Sequence, residues 1–394
     1  MKILCLCFYF KPDLSAGSFK NTALVDELAR QVPEGSQIDV ITTLPNRYSS
    51  FSVDAEEEEI SGSVRIRRIG LPAHQSGMVD QSKSFATYAT RVLRLTAKED
   101  YDLIYASSSR LMMSILGGYV SWRKKRPFYL DIRDIFVDTI KDVLPGKITM
   151  FALPVFSRLE KWAVRRAARV NVVSDGFVPY FQKQFPGIEL SGFTNGIDQI
   201  FLDAAPTGTT VPDKSELEVL YAGNMGEGQG LHHIIPPLAK RFEGRLRFRL
   251  VGGGGRLDQL KEEIRKAGCT NVILDEPVNR DELLKLYANA DILFLHLNDY
   301  DAFKKVLPSK IFEYGALGKP LWAGVSGFSA DFIRKNISNS AVFHPCDVDA
   351  ADEALQTLEM KTERRSDFIE RFSRARIIER MASEIIATGR DPVT

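Results

Sequence analysis

Short apolar runs alternate with amphipathic stretches along the whole chain. Runs at 2–10, 37–42, 64–69, 103–107, 128–132 and 170–174 have the length and the β-branched or aromatic content of strands. Between them, 18–31, 82–96 and 158–168 carry apolar positions at helical spacing. A second series follows, with strands expected at 217–222, 246–251, 272–274, 292–295 and 320–323 and helices near 231–241, 256–267, 280–287 and 309–317. Strands that alternate with helices build parallel sheets covered on both faces, so the fold class is α/β with two such domains. The boundary is expected at 203–216, where Pro206, Gly208 and Pro212 break any apolar period. Residues 1–202 then form the first domain, 217–360 the second, and 361–394 a C-terminal helical segment.

Composition narrows the partners. Lys and Arg number 52 against 51 Asp and Glu, a net charge of +1, so a global grip on nucleic acid is excluded. Four cysteines are too few for a disulfide scaffold in a chain of 394 residues, and no His or Cys group has zinc spacing. The expectation is a reduced, cytoplasmic protein without a metal. The apolar start (MKILCLCFYF) ends at Lys11, Pro12 and Asp13, too short to span a bilayer and followed by no small-residue cleavage site. It reads as a buried first strand, with Cys5 and Cys7 on one face as small hydrophobes.

In doubly wound sheets, ligands bind where strand ends meet helix N-termini. Four loops qualify. The stretch 9–21 holds Gly17 just ahead of a helix, where backbone could approach a phosphate or simply turn. Residues 221–231 (YAGNMGEGQGL) place four glycines within eight residues, without the Gly-Lys-Ser/Thr of a P-loop. Residues 251–257 (VGGGGRL) miss the dinucleotide fingerprint, because the third glycine would fall at Leu257 or Asp258. Residues 300–320 (YDAFKKVLPSKIFEYGALGKP) set Lys304, Lys305 and Lys310 around Pro308-Ser309, a helix start with Ser309 as N-cap. There an ammonium and helix N–H groups could meet a phosphate. Glu313, one turn on, could accept hydrogen bonds from the two hydroxyls of a ribose or merely complement the helix dipole.

The glycine loop, VGGGG, NADILFL and PSKIFEYGALGKP occur in the order and spacing of the donor half of family 4 glycosyltransferases, which the chain resembles over nearly its whole length. DIRD at 131–134 and LEKWAVRRAARVNVVSDG at 159–176 resemble the branch that makes bacterial surface polysaccharides such as O-antigen or capsule. The resemblance implies a GT-B fold: two facing Rossmann-like domains with a nucleotide-sugar cleft between them and the C-terminal segment packing back across it. It also implies a retaining transferase with a UDP-sugar donor, a glycan acceptor linked to a polyprenyl diphosphate, and no required metal. Gly17, Gly223, Asn224, Met225, Gly226, Ser309, Lys310, Lys304 and Lys305 would then lie at the donor phosphates, Glu313 at the ribose, and Pro277-Val278 at the base. Lys310, Arg133 and Asp134 are the catalytic candidates, Asp134 for positioning or deprotonating the acceptor hydroxyl.

The chain departs from the family at several points. Lys305 stands where many members have the first of two glutamates, and neutral Asn224 and Gln229 stand near the places of an Arg and a Lys. Arg133-Asp134 occupies the region of a histidine. A nucleotide-sugar epimerase of the same fold and a catalytically degenerate partner subunit are the alternative readings. Residues 119–133 and 158–169 each hold five basic residues and one acid beside Trp122 or Trp162, which suggests contact with an anionic membrane surface.

Overall fold

The computed structural model describes residues 1–13, 15–45, 55–72, 78–135, 137, 146–208 and 214–390. The chain divides into two compact units, Met1–Asn195 with Ala375–Thr394, and Gly196–Arg374.

In the first unit, β1 (Lys2–Cys7), β2 (Gln37–Thr43), β3 (Glu58–Ser61) and β4 (Val64–Ile69) precede β5 (Leu103–Ser108), β6 (Phe128–Ile132), β7 (Arg169–Val172) and β8 (Leu190–Ser191). They form one sheet in the order β3-β4-β2-β1-β5-β6-β7-β8. Only the β3–β4 edge pair is antiparallel among the pairings of this sheet. The helices of this unit are α1 (Ala16–Gln31), α2 (Met78–Thr96), α3 (Leu111–Lys124), α4 (Gly146–Arg166) and α5 (Val178–Gln184). Helix α1 starts because the Ser15 hydroxyl accepts the Ser18 N–H at 3.1 Å, and it buries Leu24, Val25 and Leu28 on the sheet. Cys5 and Cys7 are fully buried in that same core.

In the second unit, α6 (Gln199–Asp203) leads to β9 (Leu217–Asn224), α7 (Leu231–Arg241), β10 (Leu246–Gly253), α8 (Leu257–Ala267) and β11 (Val272–Asp275). Then follow α9 (Arg280–Asn289), β12 (Ile292–His296), α10 (Lys310–Leu317), β13 (Leu321–Gly324), α11 (Phe328–Asn336) and β14 (Ser340–Phe343). The sheet order is β11-β10-β9-β12-β13-β14, all parallel. Its core on one face centres on Trp322, ringed by Phe242, Phe248, Phe294 and Phe343.

The division at Asn195–Gly196 lies upstream of the 203–216 stretch, of which 209–213 fall outside the described residues. It lies there because α6 joins the second unit: Phe201 is buried and meets Tyr287 edge to face. The C-terminal helical run is broken into α12 (Val348–Leu355), α13 (Ser366–Phe372) and α14 (Arg374–Arg390). Helix α14 returns to the first unit, where Ile378, Met381, Ala382 and Ile385 join the core of β1 and β5.

Local pattern missed seven elements: β3, β8, β14, α3 and the short helices α5, α6 and α11. Polar β3 exists through its pairing with β4, and two-residue β8 through its pairing with β7. Helix α3 buries so many of its residues that no 3.6-residue stripe stands out. Strand β14 is four residues long, beside β13.

Candidate functional site

In the second unit, the strand order reverses between β9 and β12, and the loops after these strands open at the switch point where doubly wound folds bind ligands. The two Gly-rich runs serve each other there. Strands β9 and β10 stay in register through Gly223↔Gly252 and Asn224↔Gly253, and Met225 N–H donates to Gly253 O at 2.8 Å. A Cβ on Gly252 (φ 137°) would run into the Gly223 carbonyl, and one on Gly254 (φ 156°) into the Met225 backbone. The glycines of 252–254 are therefore required by this close approach before any ligand is considered. Asn224 Nδ2 and Gly226 N–H both donate to Gln229 Oε1, at 2.7 and 3.2 Å. The two neutral residues thus bond to each other and hold the turn, with Met225 buried beneath it.

Lys310 reaches this turn. A Cβ on Gly223 (φ 146°) would overlap Lys310 Cε and Nζ, so the ammonium lies directly on the Gly223 backbone. Two tyrosines fix that arrangement. The Tyr314 hydroxyl accepts the Ala222 N–H at 3.4 Å, docking α10 under the end of β9. Tyr287, packed edge to face on Tyr314, donates to Glu313 Oε2 at 3.3 Å. Burial, with Tyr314 and Glu313 beside it, pushes the Tyr287 phenol up, so it stays a donor. Glu313 itself is half-buried.

Ser309 stands at the N-cap position ahead of α10, as expected, but does not cap through its side chain. Its dihedrals are already helical (φ −59°, ψ −29°). Ile311 and Phe312 N–H instead turn back to Pro308 and Ser309 carbonyls at 3.1 Å, so the helical turn already opens at Pro308. The N–H groups ahead of that turn have no partner within the helix. Lys304 is exposed and ion-paired with Asp301 at 2.6 Å, while Lys305 is half-buried at the end of the 301–305 turn. Pro277 is exposed, near the ideal Cβ position of Gly253 (3.9 Å), and Val278 packs on the core behind α9.

Two further residues organise the loop. His296, fully buried at the end of β12, donates from Nδ1 to Gln229 O (2.7 Å) and accepts the Cys346 N–H at Nε2 (3.0 Å). Burial lowers its pKa to about 4, so it is neutral. Glu227 accepts from the Tyr300 hydroxyl and is paired with Arg256, and the Tyr300 bond leads the effects that lower its pKa. Glu227, His232 and His233 bring ligand atoms within 4.8 Å of one another. Of this group, Glu227 is the member paired with Arg256. A histidine closing an otherwise apolar strand (ILFLH) was the signal available for His296.

In the first unit, the DIRD segment splits. Asp131 is fully buried, held by Asn171 Nδ2 (2.6 Å), Lys20 Nζ (3.3 Å) and the Tyr105 hydroxyl (3.2 Å). Burial alone would raise its pKa, but Lys20, Arg133 and Asn171 outweigh it and hold the carboxyl below its ordinary range. Arg133 pairs with this Asp131 at 3.5 Å and donates to Asn195 Oδ1 at 2.7 Å. Its guanidinium lies under the Gly17 turn, 3.9 Å from that residue's ideal Cβ position. Asp134 is exposed. The buried ion pair of this segment is Asp131–Arg133. Asp131 could have been found as a carboxylate in a strand buried at every position, where a charge needs a partner.

Residues 209–374 match the family of group 1 glycosyl transferases, and residues 21–188 match the glycosyl transferase 4-like domain. A segment of 117 residues is 31% identical to the putative colanic acid biosynthesis glycosyl transferase WcaI of Escherichia coli K12, covering 30% of this chain and 28% of that protein. Anabaena HepE, solved with UDP and glucose, superposes with a TM-score of 0.64 at 16% identity over 98% of this chain and all of that one. WaaG, a glycosyltransferase involved in lipopolysaccharide biosynthesis, does so at 0.64 and 14% identity over 97% and 95%. No helix among the described residues is long and apolar enough to cross a membrane. With a group 1 region, a 4-like region and two Rossmann-like units, the chain belongs to the family 4-like glycosyltransferases of GT-B fold.

Proposed function

We propose that the protein is a retaining glycosyltransferase that moves a hexosyl or N-acetylhexosaminyl group from a UDP-sugar to a lipid-linked glycan in the assembly of a bacterial surface polysaccharide. The observation that carries this reading is the Lys310 ammonium lying on the Gly223 backbone at the switch point, with Glu313 one turn along the same helix. HepE, solved with UDP and glucose, and the polysaccharide roles named for WaaG and WcaI support the donor class and the setting.

In this reaction the bond from the anomeric carbon to the diphosphate breaks, and the nucleotide diphosphate leaves with added negative charge. The acceptor oxygen bonds to the same face of that carbon, and its proton passes to a base. Lys310, the Ser309 and Lys310 N–H groups and those in the 223–226 turn meet the charge on the leaving group. Glu313, steadied by Tyr287, accepts from the ribose hydroxyls. Pro277-Val278 lies beside the base, and Lys305 adds positive charge nearby. Asp134 positions or deprotonates the acceptor hydroxyl, and Arg133 holds the Gly17 turn.

The test is incubation of the purified protein with a panel of UDP-sugars and lipid-linked glycans, with the anomeric configuration of the product read by NMR. Product with the donor's configuration supports the proposal, and an inverted product refutes retention. An isomerised sugar nucleotide formed without acceptor would make the protein an epimerase. Absence of calorimetric binding to any sugar nucleotide would make it a non-catalytic subunit. Asp134→Asn is expected to slow transfer with donor affinity kept, and wild-type turnover would remove Asp134 from the chemistry.

A further inference from the structure

The glycine turn of the second unit carries a cluster that the donor chemistry leaves unused. Residues 227–233 (EGQGLHH) hold one carboxylate and two imidazoles. Neighbouring side chains on a helix point about 100° apart, so the sequence alone shows no ligand spacing here. The fold supplies it. The 227–229 turn closes through Gly230 (φ 59°), whose N–H donates to Glu227 O at 3.2 Å, and α7 begins at the next residue. One ligand atom each from Glu227, His232 and His233 then lies within 4.8 Å of the other two. The two imidazole rings have centroids 4.0 Å apart.

A second observation is independent of this spacing. His232 is only 5% exposed, and its enclosed Nδ1 has no hydrogen-bond partner. A buried ring nitrogen without a partner carries an uncompensated desolvation cost. The other buried histidine of this unit avoids that cost: His296 uses both nitrogens, on Gln229 O and the Cys346 N–H. His233 is exposed and Glu227 half-buried, so an ion can enter from solvent. Glu227 is also steadied from behind, because the Tyr300 hydroxyl donates to Oε1 and Asn298 Nδ2 donates to its carbonyl at 3.0 Å. Outer bonds of this kind fix the direction in which a ligand points.

Two imidazoles and a carboxylate suit zinc and its neighbours, whereas magnesium and calcium take oxygen ligands. We propose that Glu227, His232 and His233 bind a divalent transition ion of the zinc type, with water completing the set. Zinc holds such atoms at about 2.0–2.2 Å, so the three must close by about 1 Å, which rotation of the exposed His233 allows. The bound ion ties the 227–229 turn to the first turn of α7 and stiffens the glycine loop. Arg256 is the competitor for the carboxylate, but its exposed guanidinium also bonds Gln259 Oε1 at 2.9 Å and can withdraw to it. None of the three ligands is Lys310 or Glu313, so this proposal and the proposed transfer can fail separately.

The test uses the full chain, free of any affinity tag and stripped with chelator. Titration with Co2+ should give one bound ion per chain, with the ligand-field absorption of nitrogen and oxygen ligands, displaced by Zn2+ but not by Mg2+. Zn2+ should also raise the melting temperature. His233→Ala and Glu227→Gln should each weaken Zn2+ affinity in calorimetry by at least about tenfold, and Arg256→Gln should tighten it. His232→Asn should abolish the Co2+ spectrum, and if that variant does not fold, exposed His233 decides the matter. No Co2+ absorption, or Zn2+ bound with undiminished affinity by folded His233→Ala and Glu227→Gln, would overturn the site and leave an adventitious ion only.

Discussion

The two Rossmann-like units share a topology but handle charge at their strand ends in opposite ways. The first hides it: Lys20 and Asp131, both fully buried, are bound to each other and to Asn171, Tyr105 and Arg133 under the Gly17 turn. The second braces its loop with neutral Asn224, Gln229 and His296 and with the surface Glu227–Arg256 pair, and brings the Lys310 ammonium over backbone. A buried ion pair is costly to break but already compensated, so it holds shape. A half-buried cation over glycine backbone, with free helix N–H groups beside it, still has charge to offer a ligand. The contrast teaches that equivalent ends of similar sheets can be built, one for rigidity and the other for anion binding.

That contrast can be broken first at Asp131. Asp131→Asn keeps the shape but leaves Lys20 and Arg133 without their buried counter-charge, and should destabilise the first unit by about 3–5 kcal/mol in chemical denaturation. A loss under about 1 kcal/mol would mean that the pair is not what holds this end of the sheet. Lys310→Ala should do the reverse, with stability changed by no more than about 0.5 kcal/mol. Transfer should slow about a hundredfold to a thousandfold, with affinity for a nucleoside diphosphate falling far more than for the nucleoside. Equal losses for both ligands would remove Lys310 from the diphosphate.

His296 sharpens the comparison through pH. Its native pKa of about 4 lies below the ordinary value near 6.5, so the unfolded chain binds the extra proton first as pH falls. Stability contributed by the neutral ring is complete above about pH 6.5 and is lost progressively down to about 4, about 3 kcal/mol in all. His296→Asn should flatten that part of the stability–pH curve, measured by denaturation at fixed pH steps. A curve that kept its wild-type slope would show that another group titrates there. The smallest effect is expected at Glu313. Glu313→Ala should weaken binding of nucleotide and sugar nucleotide alike by about 1.5–3 kcal/mol in calorimetry, the range for hydrogen bonds to a charged group. Unchanged affinity in a folded variant would take the ribose away from it.

Much of the architecture was legible because alternation of strand and helix periods is written locally. The strands β2, β4, β6, β9 and β10 lie where their apolar runs placed them, and α10 lies within a residue of its expected start. What failed locally were elements defined by neighbours, such as β3 and β14, and the long first strand, which ends at Cys7 rather than Phe10. At the site, the sequence singled out Gly223, Lys310 and Glu313 but had nothing to say of Tyr287 and Tyr314, which orient them from separate turns.

By itself, then, the sequence determined the two α/β series, the glycine turns, and the helix that carries Lys310 and Glu313, because these follow from period and spacing within a few residues. The tertiary structure decided which charges are spent and which remain available. Lys20 and Asp131 are 111 residues apart and meet only when α1 packs on the assembled β1, β5 and β6. Gly223 and Lys310 meet only when α10 docks on β9. Trp122 and Trp162 became surface, and Trp322 core, because exposure is a property of what packs alongside a residue, and the neighbours come from distant parts of the chain.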